Sequence, residues 1–80
     1  MSYKDSQQAA SEALRLACDE TITDQDAVRY ANSAEKHAMQ AVLDASNTRE
    51  IWLAMQQVAC ATGLRVIIEA GIRAEIQRNR

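Results

Sequence analysis

Between residues 27 and 45 alanine recurs as Ala27, Ala31, Ala34, Ala38, Ala41 and Ala45, at intervals of four, three, four, three and four. That is the spacing of a single seam along an α-helix. Methyl-sized knobs on such a seam let a second helix approach closely, and Val28, Met39, Val42 and Leu43 flank it and are expected to cover its edges. The chain carrying it is therefore expected to be helical throughout. Proline is absent, glycine occurs twice, and much of the apolar content is alanine, so nothing in the interior removes a backbone donor. A sheet is not expected on the same grounds.

The segment in front reads as a first helix from Asp5 or Ser6 to Cys18, with Ala9, Ala10, Ala13, Leu14, Ala17 and Cys18 on its apolar side. Asp19-Glu20-Thr21-Ile22-Thr23 breaks the pattern, and Thr23 with Asp26 three residues on is a capping signature that opens a second helix, Asp24 to Ala45. Ser46 to Glu50 is the next break. Asn47 with Glu50 repeats the signature and opens a third helix at Thr48. Gly63 could end that helix, with Leu64 as the hydrophobic contact of a cap. The residues after it offer no loop and no good N-cap, so one long helix to about Gln77 is the expectation. The fold class is thus all-α: a small antiparallel bundle of three helices with a long C-terminal one, the alternative being four helices broken at Gly63. All 80 residues form a single helical domain in this reading.

In the third helix Ile51, Trp52, Leu53, Met55, Val58, Leu64, Val66, Ile67, Ile68, Ile72 and Ile76 spread round most of the circumference. A narrow polar stripe through Gln57, Arg65, Glu69, Arg73 and Arg80 is left. Such a helix requires burial on several sides. The first two helices are too short to shield its rear, which predicts that a second copy of the chain or another protein does so. The expected dimer interface is Leu64, Ile67, Ile68, Gly71, Ile72 and Ile76, with Gly71 permitting close contact. Trp52 is expected in the core, or failing that as an anchor in an interface.

Net charge is −2 and uneven: residues 1–26 hold two bases against six acids, and residues 27–80 hold seven bases against five acids. Asp24 and Asp26 complement the positive end of the second helix, whereas Asp19 and Glu20 have no such role. The four are therefore expected to form an acidic patch that meets a basic surface on a protein partner. Arg65, Arg73 and Arg78 alternate with Glu69 and Glu75, which points to ion pairing along the helix rather than to a nucleic-acid stripe.

Catalytic groups are hard to assemble. His37 is the single histidine and stands among polar residues. Cys18, His37 and Cys60 are three scattered ligands where zinc requires four, and Gly63 and Gly71 lack the strand of a phosphate loop. No catalytic residue, metal or cofactor is expected. The cysteines read as buried reduced thiols, and the N-terminus lacks a secretory pattern. Gln56, Gln57, Arg65, Glu69 and Arg73 interrupt the longest apolar region, so no transmembrane segment is expected and the chain reads as cytoplasmic.

These features point to a non-enzymatic protein-binding module, a homodimer acting as a small inhibitor or adaptor. Its most concrete form is a blocker carried by a phage or mobile element against a host defence complex, of the anti-CRISPR kind. The alternative is a small DNA-binding regulator using the arginine-bearing helix.

Overall fold

A computed structural model describes residues 2–79. Three helices follow one another, α1 (Tyr3–Ala17), α2 (Asp24–Asp44) and α3 (Thr48–Arg78), joined by short turns. The chain is an all-α bundle. Each helix starts on the same device: a side-chain oxygen of Ser2, Thr23 or Asn47 accepts the backbone N–H of an acid three residues on, at 3.2, 3.1 and 2.9 Å. Glu50 completes the third of these, because its carboxylate reaches back to the backbone N–H and the hydroxyl of Ser46, both at 2.9 Å. The Ser2 cap moves the start of α1 to Tyr3, two or three residues ahead of the expected Asp5 or Ser6.

α2 is the middle element. It packs against α1 on one side and α3 on the other, antiparallel to both, while α1 and α3 meet along a short stretch only. The seam explains this order. Ala27, Ala31, Ala34, Ala38 and Ala41 are all buried, facing Ser6, Ala10, Ala13 and Ala17 of α1 and Ala54 and Ala61 of α3. At the centre Ala13, Ala34 and Ala61 meet, one methyl from each helix, with Leu14 packed beside them. Ala45 is only half-buried, because the helix has already ended there. The largest wholly buried side chain among the described residues is Ser6.

A core of methyl groups has no room for the large residues, and this overturns two expectations. Trp52 is not a core anchor but 61% exposed, and Cys18 and Cys60 are exposed free thiols rather than buried ones. Cys18 caps α1 just beyond its last turn, and Cys60 lies beside the outer face of α3. Gly63 does not break α3, which runs straight through it without left-handed backbone, so the four-helix alternative is excluded.

α3 is also rotated relative to expectation. All of its polar stripe that is described, except the exposed Arg73, turns to the bundle: Gln57 donates to the Gln7 carbonyl at 3.2 Å and to the Ser11 hydroxyl at 2.9 Å, both on α1. Arg65 lies 3.7 Å from Glu35 of α2 and 3.5 Å from Glu69, and Thr62 donates its hydroxyl to the same Glu35. These groups are half-buried, not the solvated ion-paired surface that alternating charge suggests. Arg80, placed on this stripe by the sequence, lies outside the described residues.

The methyl seam sets a stability test. Ala34→Leu forces a branched side chain into a site that is fully buried among methyls. It is expected to lower unfolding free energy by about 1–3 kcal/mol in a urea titration followed by circular dichroism. An unchanged midpoint would mean that the helices do not pack at alanine distance.

Candidate protein-binding face

With Ala54 and Ala61 marking its inner side, α3 presents on the opposite side the residues that recur at three and four: Trp52, Met55, Ala59, Gly63, Val66, Ala70 and Ala74. Every one of them is exposed. Ile67, at the edge of the same face, is 70% exposed. From Trp52 to Ala70 the face carries no charge, since Arg65 turns inward to Glu35; Gln56 lies on it and Arg73 follows near its end, both exposed. A largely apolar strip of this length is uncommon on a protein surface that has nothing to cover it.

The strip joins a groove between α2 and α3. Met39, Val42, Leu43, Met55 and Val58 line a cavity of ≈ 330 Å³, and Leu43 is 78% exposed at its rim. Met39 and Leu43, expected to cover the alanine seam, instead stand away from it. Met39, Leu43 and Met55, which the core does not admit, thus meet at this groove.

The expected dimer residues divide between two sides. Leu64, Ile68 and Ile72 are half-buried, whereas Ile67, Gly71 and Ile76 are exposed. No described residue of α3 beyond Ala61 is fully buried. Trp52, Met55, Ala59 and Val66 belong to the exposed face, and the apolar pattern alone does not single them out as binding residues. The signal for them lies in Ala54 and Ala61, seven apart like the alanines of α2, which mark the inner side of α3 and therefore its outer side.

The four acidic residues sit on and beside the α1–α2 turn, but not as a set of idle charges. Asp19 closes that turn, because one of its carboxylate oxygens accepts the Thr21 backbone N–H at 2.8 Å and the Thr21 hydroxyl at 2.7 Å. Asp26 lies 3.8 Å from Arg29. Glu20 and Asp24 are exposed and have no ionic partner among the described residues. Among the described residues no three His, Cys, Asp or Glu side chains are grouped so as to hold a metal ion, and His37 is half-buried on α2.

By length and mean hydropathy α3 could cross a membrane: an 18-residue window averages 1.4, and only 11% of it is buried. The tie between Arg65, Glu35 and Glu69 holds the middle of that helix to α2.

The bonds from the Thr21 backbone and hydroxyl hold the Asp19 carboxyl below the ordinary aspartate range. A depressed native value means that this turn is fully supported above the ordinary aspartate pKa and loses that support as pH falls through the native one. A carbon-detected NMR titration is expected to place the Asp19 midpoint below the ordinary aspartate value, and Thr21→Ala, which removes the hydroxyl bond and keeps the backbone N–H, to raise it part of the way. An ordinary midpoint in the wild type would show that the turn is not closed by Asp19.

No family model, curated protein or solved structure matches the chain.

Proposed function

We propose that the chain is a non-enzymatic protein-binding module, an inhibitor or adaptor, that works through the apolar outer face of α3. The observation that carries this reading is the orientation of α3: Gln57, Thr62 and Arg65 are spent on contacts within the bundle, and Trp52, Met55, Val66 and Ile67 are turned outward. A large exposed aromatic beside flexible methionines and small residues is the composition of a surface that is desolvated on binding. The two exposed free thiols suit a reducing compartment, and with it a cytoplasmic setting. A blocker of a host defence complex is the specific form in which a small domain of this kind would act by occlusion alone.

The DNA-binding alternative draws less support. Arg65 is occupied by Glu35 and Glu69, so the exposed bases at the end of α3 are reduced to Arg73 and Arg78 with Glu75 between them.

Val66 is half exposed, so Val66→Asp leaves the bundle intact while placing a charge in the middle of the face. Wild type and Val66→Asp, immobilised as paired baits, are expected to differ at least tenfold in the recovery of specific proteins, while binding to random duplex DNA at low salt stays weak for both. Identical recovery, or tight duplex binding that falls steeply with salt, would overturn the reading.

A further inference from the structure

We infer that the part of α3 beyond Gly63 is an arm that detaches from the bundle as a unit, latched to α2 by Arg65 and bounded by Gly63. The arm follows from contacts within one protomer and stands whether or not a partner covers the outer strip.

The two halves of α3 are held differently. Before Gly63, Ala54 and Ala61 are wholly enclosed at the methyl seam, and Gln57 is bonded to the Gln7 carbonyl and the Ser11 hydroxyl of α1. After it no described residue is fully buried. Leu64, Ile68 and Ile72 are half-buried, and from Arg73 onward every described residue is exposed. Among the described residues a single side-chain tie of hydrogen-bond or ionic kind joins this half to another helix, the one from Arg65 to Glu35 at 3.7 Å. Its surroundings hold it in place: Thr62 donates its hydroxyl to Glu35 from the fixed side, and Glu69 lies 3.5 Å from Arg65 one turn further on.

Gly63 has no steric or conformational reason to be glycine within the protomer. Its φ is not positive, and a Cβ added there meets nothing within 4 Å. What glycine does contribute is a weak link, disfavouring the helix by about fivefold relative to alanine. That link stands two residues after Ala61, the last enclosed side chain, and two before Arg65, the latch. Gly71, where an added Cβ is equally free, lies inside the arm and weakens it further. Once detached, the segment from Leu64 to Arg78 is about four turns long, and Val66, Ile67, Ile68, Ile72 and Ile76 are β-branched. A helix so short and so composed does not persist in water, so release from α2 and loss of helix are one event.

Detachment changes what the molecule offers to a partner. Trp52, Met55 and Ala59 of the outer strip are on the fixed half, whereas Val66, Ile67 and Ala70 are on the arm. The latched state presents these alone. The released arm also frees Leu64, Ile68 and Ile72, and becomes a segment that can refold with apolar residues on most of its sides against an apolar surface.

Native-state hydrogen exchange, read amide by amide by NMR, tests the arm. Ile67 is the first amide whose helical partner is the Gly63 carbonyl. Amides from Ile67 to Glu75 are expected to share one protection level, at least tenfold below that of Ala54 to Ala61, with the step at Gly63. Arg65→Met keeps the length and helix propensity of the side chain but removes the latch. It is expected to lower protection of the arm at least threefold and to leave Ala54 to Ala61 unchanged. Gly63→Ala is expected to raise protection of the arm about fivefold. Protection that declines smoothly from Ala61 to the end of α3 would overturn the inference, since that is fraying and not a unit. So would an Arg65→Met loss shared equally by both halves, or a Gly63→Ala variant whose arm exchanges as fast as before. The protein-binding reading is untouched by these outcomes and falls separately, on identical recovery by the Val66→Asp bait.

Discussion

Methyl-on-methyl contact along one seam is the constraint from which the rest of the molecule follows. Alanine at heptad spacing brings α1 and α3 so close to α2 that nothing larger than a serine side chain is wholly enclosed among the described residues. Elsewhere in proteins the core is where large apolar residues are taken out of water, which is the main favourable contribution to folding. Here that role is denied to Trp52, Met39, Leu43, Met55, Val66 and Ile67, all left substantially exposed. The chain gains helix propensity and close backbone packing but little burial of large side chains, which stay exposed along α2 and α3.

A seam of identical methyl groups specifies register weakly, because a slip by one heptad replaces alanine with alanine. The half-buried polar contacts supply what the seam lacks. Ser6 reaches Asp44 across α1 and α2, Gln57 joins α3 to the Gln7 carbonyl and the Ser11 hydroxyl of α1, and Glu35 gathers Thr62 and Arg65 of α3 onto α2. Each fixes one helix against another at a single height. Their combined effect on α3 decides the surface, since turning Gln57, Arg65 and Glu69 inward leaves Trp52, Met55, Val66 and Ile67 outward.

Much of this is legible in the residues. The alanine run announces a close helical seam, Thr23 with Asp26 and Asn47 with Glu50 mark two helix starts to the residue, and the absence of any loop after Gly63 favours a continuous α3. The orientation of α3 is not legible, because its apolar residues occur on nearly every side and periodicity alone cannot choose which side is buried. Exposure of Trp52 and of both cysteines is hidden for a related reason: average burial preferences assume a core with room for large or soft side chains. The earlier start of α1 comes from Ser2 with Asp5, which has the same three-residue spacing as the other two caps but stands where no apolar periodicity draws attention to it. The role of Asp19 in closing the α1–α2 turn cannot be separated from that of a free surface charge without coordinates, since both are written with the same residue.

The central claim is that α3 lies with Ala54 and Ala61 against the bundle and its apolar strip outward. Thiol labelling of dilute protein tests it most directly, comparing the native Cys60 with a thiol introduced by Ala61→Cys in a Cys18→Ser, Cys60→Ser background. Cys60 should react at close to the rate of an unfolded peptide, and the thiol at position 61 should be protected by orders of magnitude. Fast labelling at 61 together with protection of Cys60 would show α3 rotated by half a turn, with its apolar strip inside and the account of the fold reversed.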